Sequence, residues 1–169
     1  MSWRSVNEFF GLPWRDFARE AFDCAFVCAK FLCVMHVASN YGCSTVLPVG
    51  PSMLPTYNLS GDILLMERLS TRFGNIKRGD LVVFRSPQNP RKIVCKRVTG
   101  VEGDCVEFCR TEYGEENRSV VVPKGHVWVQ GDNLSVSKDS RIFGPLSCSL
   151  LQGKVFWRIW PIEGFGVLS

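Results

Sequence analysis

Gly79-Asp80-Leu81-Val82-Val83-Phe84 sets the reading of this chain: a glycine–aspartate turn pair opens a short apolar, β-branched run. The same punctuation recurs at Gly61-Asp62 before Ile63-Leu64-Leu65-Met66, and at Gly103-Asp104 before Cys105-Val106-Glu107-Phe108. Ile93 to Gly100, Val120-Val121-Val122, Val127-Trp128-Val129 and Val155-Phe156-Trp157 add further β-prone segments. Many short strands separated by Gly, Pro and Asp turns predict a mainly β protein with an antiparallel, barrel- or sandwich-like core. The polar stretches 85–92 and 110–119 are expected to be loops, the second a solvated hairpin.

Ahead of the β region, residues 21–39 form a candidate transmembrane helix. The chain of 169 residues is thereby divided into a tail (1–20), that helix (21–39) and a folded domain (40–169). Asp23 and Lys30 interrupt the apolar span, and a lysine near the bilayer centre costs about 3 kcal/mol. The two lie seven residues apart, two turns along one helix face. An amphipathic helix lying on a membrane surface is the competing reading. Arg4, Arg15 and Arg19 precede the span, whereas no Lys or Arg occurs between Phe31 and Glu67. The positive-inside rule therefore places the N-terminus on the inner side and the β domain outside. Glu8, Asp16 and Glu20 make residues 1–20 a poor cleavable transit peptide, and no small-residue cleavage site marks a secretory signal.

The formal charge of +4 is small and its cations dispersed, so nucleic acid is not an expected partner. The two histidines, His36 and His126, do not form an HExxH metal site. Cys105 and Cys109 lack a second cysteine pair at zinc spacing. Cys24, Cys28, Cys33 and Cys43 lie in or just after the apolar span, where they read as small packing residues. A disulfide among Cys95, Cys105, Cys109 and Cys148 is left open.

Chemistry enters at Gly50-Pro51-Ser52-Met53-Leu54-Pro55-Thr56, a serine held between two prolines, and at Ile93-Val94-Cys95-Lys96-Arg97-Val98-Thr99-Gly100. A serine hydroxyl is a poor nucleophile until a neighbouring base takes its proton, and a lysine does so only when neutral. On a strand Lys96 shares its face with Val94 and Val98, whose apolar surroundings lower an amine pKa. A third segment, Gly131-Asp132-Asn133 through Ser137 and Asp139-Ser140-Arg141, supplies hydroxyls, carboxylates and an arginine of the kind that orient a catalytic base. Position 55 is Pro, which excludes a Ser-x-x-Lys arrangement on Ser52, and His126 is read as structural.

In this order, the serine segment, Gly61-Asp62-Ile63-Leu64, Lys96-Arg97-Val98-Thr99-Gly100 with Gly103-Asp104, and the Gly131–Arg141 segment resemble the type I signal peptidases, membrane-bound Ser/Lys-dyad proteases. The resemblance covers most of residues 46–161. It implies that Ser52 is the nucleophile, Lys96 the general base, Ser137 the hydroxyl that orients the lysine, and Asp139 with Arg141 a supporting ion pair. Met53 is expected to line a pocket for the residue before the cut. Arg78-Gly79-Asp80, Ser86-Pro87, Cys95-Lys96-Arg97, Gly125-His126-Val127-Trp128 and Ile159-Trp160-Pro161 are similar to the mitochondrial inner-membrane branch of the family, in particular its subunit 1 type. That branch implies an active site facing the intermembrane space, removal of sorting peptides from precursor proteins, and a heteromeric complex with a sister catalytic subunit.

Two departures bear on mechanism. Gly50 stands where some bacterial members carry an oxyanion-donating hydroxyl, which leaves the Ser52 N–H with more of that work; loss of one such donor costs about 3 to 4 kcal/mol elsewhere. Val136 replaces an asparagine common before the loop serine in bacterial members, which speaks against a bacterial or plastid type. No metal or organic cofactor is expected. The competing functions are a catalytically silent subunit that holds partners or peptides, and a self-cleaving repressor-type Ser/Lys protease, for which the first 45 residues offer an apolar span in place of a DNA-binding domain.

Overall fold

Leu81 and Val83 pack into one apolar cluster while Val82 and Phe84 pack into another, so strand β3 (Leu81–Arg85) is buried on both faces. Its unbroken apolar run is what a strand inside two covering layers requires. The computed structural model describes residues 14–109 and 117–168 and divides the chain into two units, one ending at Asn40 and one beginning at Tyr41.

The first unit contains helix α1 (Trp14–Val37), whose described side chains from Phe17 onward are exposed. The stretch Phe17–Gly42 is long and apolar enough to cross a membrane; 26 helical residues rise about 39 Å against a hydrocarbon core of about 30 Å. Lys30 sits near its middle with Nζ 5.2 Å from the centre of the Phe26 ring. Asn40 Nδ2 donates to the His36 carbonyl at 3.0 Å, satisfying one of the orphan acceptors at the helix end. The helix starts at Trp14, inside the stretch assigned to the tail, because Arg15, Asp16, Arg19 and Glu20 are helix-compatible residues that a hydropathy reading discards. Residues 1–13 lie outside the described residues.

The second unit is antiparallel throughout. Strands β1 (Cys43–Val46), β2 (Ile63–Glu67), β4 (Ile93–Gly100), β7 (His126–Gln130), β8 (Leu146–Ser147) and β9 (Leu151–Trp160) join β3 in the order β1-β2-β9-β3-β4-β7-β8, and β10 (Gly166–Val167) adds to β9. A separate ribbon pairs β5 (Cys105–Cys109) with β6 (Asn117–Val121). Short helical turns α2 (Leu69–Arg72) and α3 (Ser140–Phe143) complete it. The mainly β, antiparallel expectation with one N-terminal apolar helix matches this architecture. One expectation is corrected: residues 117–119 belong to β6 and not to a loop. Asn117, Arg118 and Ser119 pair backbone to backbone with Cys109, Phe108 and Glu107, and polar residues suit the wet outer face of a ribbon. Residues 110–116 of that predicted hairpin lie outside the described residues.

The core has three parts. Met53, Tyr57, Leu64, Met66, Leu81, Val83, Cys95 and Val155 fill one side of the main sheet; Val82, Phe84, Val98, Val127, Val129 and Leu146 fill the other. Fully buried Trp128 anchors the ribbon through Val106, Val122 and Phe108, the last at a ring-centre distance of 4.7 Å. The eight cysteines form no disulfide.

Candidate active site

Ser52 lies in a 3-10 turn (Pro51–Met53) whose first position is proline, the residue pre-set for a helical start. Gly50 precedes it with φ near 123°, a backbone conformation that side chains rarely adopt, so glycine here answers to the turn geometry. Gly50 N–H donates to the Leu59 carbonyl at 2.9 Å and closes the loop at its neck. Met53 is fully buried in the first core cluster and pins the turn down.

Lys96 occupies the middle of β4, opposite Val82 of β3, with β7 on the other side at Arg97 and Gln130. It is 4% exposed, and its Nζ donates a hydrogen bond to Ser52 Oγ. Burial holds its ammonium below the ordinary lysine value, against the pull of Cys95 and Asp139 in the other direction. An amine so placed, once neutral, is positioned to take the serine proton.

The third segment hangs from one carboxylate. Asp139, with no exposed surface, accepts from the Gly131 N–H at 3.0 Å and from the Arg141 guanidinium through two bonds, Nε–Oδ1 at 2.9 Å and Nη2–Oδ2 at 3.0 Å. Burial pushes its pKa up, but the Arg141 guanidinium, the Gly131 N–H and the Ser137 hydroxyl outweigh that and hold it below the usual carboxylate range. Arg141 also donates to the Leu134 carbonyl at 2.7 Å, and Ser140 Oγ accepts from Val129 N at 3.0 Å. The Asp139–Arg141 pair expected from the sequence is thus present, and it fixes the turn after β7 against the Ser52 turn. Asn133 N–H in that turn donates to the Ser52 carbonyl at 3.1 Å.

Two expected residues lack the contacts that their expected roles would use. Ser137 is buried at 7% exposure beside Gly131, where its hydroxyl faces Asp139 and helps keep that carboxylate charged; no hydrogen bond joins it to Lys96, whose amine is directed at Ser52. Met53 packs against the core and is not among the residues lining the adjoining cleft of about 760 Å³. Its unbranched side chain fits behind Tyr57, Met66 and Val83, which do line it. Gly50 and Val136 also border the cleft, and His126 bonds the neighbouring Lys124 carbonyl through Nδ1.

Residues that sequence reasoning assigned no role complete the site. Arg97 forks onto Asp132, which also accepts the Thr56 hydroxyl, and Arg97 Nη1 donates to the Gly79 carbonyl at 2.9 Å. The pair joins the serine loop, the lysine strand and the turn after β7. The signal was an arginine directly after the lysine, but its partner lies 35 residues away and nothing local reports the match. Among the described residues no group of three His, Cys, Asp or Glu side chains could hold a metal.

The signature of the family described as "Signal peptidase, peptidase S26" matches residues 21–112 and 109–160. The mitochondrial ATP-independent inner membrane protease subunit 1a of Arabidopsis thaliana is 53% identical over 92% of this chain and 93% of its own length. The mitochondrial inner membrane protease subunit 1 of Mus musculus is 43% identical over 88% and 89%. The mitochondrial inner membrane protease subunit 2 of Saccharomyces cerevisiae is 36% identical over 79% and 72%.

Proposed function

The chain belongs to the signal peptidase family, peptidase S26, and on that premise we propose that this serine peptidase cuts precursor proteins with Ser52 as nucleophile and Lys96 as general base. It works in the mitochondrial inner membrane, where the relatives' names place them, as one catalytic subunit beside a sister subunit. α1 spans that membrane with its N-terminus in the matrix and Ser52 in the intermembrane space, the orientation favoured by the arginines ahead of the span. The precursor lies extended in the cleft between the Thr45–Gly50 segment and the start of β4, presenting its scissile carbonyl to Ser52.

Neutral Lys96 accepts the Ser52 proton as Oγ attacks the carbonyl carbon, and the Ser52 N–H takes part in holding the oxyanion. The resulting ammonium gives its proton to the departing amine. Lys96, neutral again, then deprotonates the water that opens the acyl-enzyme. Asp139 and Arg141 hold the Gly131–Asn133 turn and, through Asn133, the Ser52 carbonyl.

The observation that carries this reading is the hydrogen bond between a 4%-exposed lysine and a serine hydroxyl 44 residues away. The test is precursor processing in mitochondria whose only copy carries Ser52→Ala or Lys96→Ala, with the sister subunit quantified. Precursors accumulate in both while the complex persists. Normal processing would make the chain a silent, structural subunit.

A further inference from the structure

The loop that leaves the nucleophile turn and returns to β2 is held by two charges outside the site described above. Asp62, with no exposed surface, accepts from Asn58 N and from Asn58 Nδ2, each at 2.8 Å. Arg158 of β9 brings Nη1 to 3.9 Å from Asp62 Oδ2 and donates from Nη2 to the Thr56 carbonyl at 2.5 Å. Thr56 is therefore gripped at both polar ends, its carbonyl by Arg158 and its hydroxyl by Asp132. A buried carboxylate is tolerated only when it is paired and hydrogen-bonded, and Arg158 is the ion-pair partner that Asp62 has among the described residues.

The guanidinium is roofed by the C-terminal segment. A Cβ at Gly164, in the 3-10 turn Ile162–Gly164, would lie 2.6 Å from Arg158 Nη1 and 3.0 Å from Cζ. The segment is fixed over the sheet by the edge contact of Phe165 on Trp157, ring centres 5.4 Å apart.

We infer that Arg158 is a positioning residue for the reaction: clasped to Asp62 and roofed by Gly164, it sets the placement of Thr56 and, four residues back, of Ser52 Oγ against Lys96. It touches neither substrate nor the reacting atoms. The inference rests on Ser52 being the nucleophile. Misplacing a reacting group by about 1 Å costs on the order of 100-fold in rate, so the clasp acts on turnover and leaves binding nearly unchanged.

The experiment measures kcat, KM and melting temperature on the full-length protein, solubilised with its partner subunit, using an internally quenched peptide carrying a precursor cleavage site. Arg158→Met is expected to lower kcat about 100-fold with KM within about 3-fold. Arg158→Lys, which keeps the charge toward Asp62, recovers to within about 10-fold of the parent. Gly164→Ala, which pushes the guanidinium off Thr56 without removing it, lowers kcat about 10-fold at a nearly unchanged melting temperature. Parental kcat in folded Gly164→Ala and Arg158→Lys, with only the melting temperature lowered in Arg158→Met, would make the clasp merely structural and overturn the inference. If Arg158→Met does not fold, the other two variants decide. Ser52→Ala runs alongside: activity surviving there sinks the assignment of the nucleophile, whereas its loss together with unaffected clasp variants sinks only this inference.

Discussion

Arg97 and Asp132 meet side-on, Nε to Oδ1 at 2.9 Å and Nη2 to Oδ2 at 3.0 Å, one residue along the strand from Lys96. The fork ties β4 to the turn after β7, and the Thr56 hydroxyl on the same carboxylate ties both to the loop that carries Ser52. Three chain segments that must agree on the position of Ser52 and Lys96 thus share one carboxylate.

Asp132→Asn should weaken that junction by about 1 to 3 kcal/mol, the range for hydrogen bonds to charged groups at a site about one-fifth exposed. Burial pushes the Asp132 pKa up, but the Arg97 fork and the Thr56 hydroxyl hold it below the usual carboxylate range. A depressed carboxylate stabilises the fold above its unfolded pKa, and that contribution fades as pH falls through the folded pKa. The gap in melting temperature between parent and Asp132→Asn should be constant near neutrality and close in acid below the ordinary carboxylate range. A gap that does not depend on pH would mean the pair contributes nothing through its charge.

Lys96 runs the opposite way. Its folded pKa lies below the unfolded lysine value, so at neutral pH the fold carries the penalty of burying an ammonium. The unfolded state binds the extra proton between the two pKa values, and stability therefore rises with pH across that window. Lys96→Met should melt higher than the parent at neutral pH, show no detectable processing, and lose its advantage as pH approaches about 10.4. Processing by the parent should rise with pH as the amine becomes neutral, with its midpoint below that of an exposed lysine. A parent more stable than Lys96→Met at neutral pH would contradict the desolvated amine.

Met53, read from the sequence as lining a small pocket for the residue before the cut, is fully buried among Tyr57, Leu64, Met66 and Val155. Met53→Ala should lower stability by about 2 to 5 kcal/mol, the range for deleting a buried long side chain. The preferred residue before the cut should stay the same when a panel of peptides differing only there is assayed on the folded fraction. A changed preference would return Met53 to the pocket.

The strand content was legible because Gly-Asp turns and apolar runs such as Leu81–Phe84 are local signals, and the Lys96 face followed from strand alternation. Pairings across the sequence were not legible. Arg158 finds Asp62 and Thr56 only because β9 lies beside β2 in the sheet, with Arg158 opposite Leu64. Asn117–Ser119 carries no β-prone pattern, because its place in the ribbon comes from backbone pairing with β5. Ser137 illustrates a different limit: where a hydroxyl points depends on neighbours that a motif does not report, here Gly131 and the buried Asp139.

Gly131 shows how closely the segments approach. A Cβ there would overlap the Ser137 hydroxyl and the Ser52 carbonyl oxygen, and the turn cannot back away because its N–H is tied to Asp139 at 3.0 Å. Rotation would move the Ser137 hydroxyl but not its Cβ, 2.6 Å from the added atom, and the Ser52 carbonyl, which also accepts from Asn133 N–H at 3.1 Å, is backbone. Gly131→Ala should therefore lose about 1 to 3 kcal/mol of stability from overpacking and about 100-fold in kcat from the displacement of Ser52. Adding Ser137→Gly removes one of the two collisions, so the double variant should regain part of the melting temperature but little of the rate. Full recovery of rate in the double variant would show that the Ser137 clash, and not the Ser52 backbone, was what inactivated Gly131→Ala.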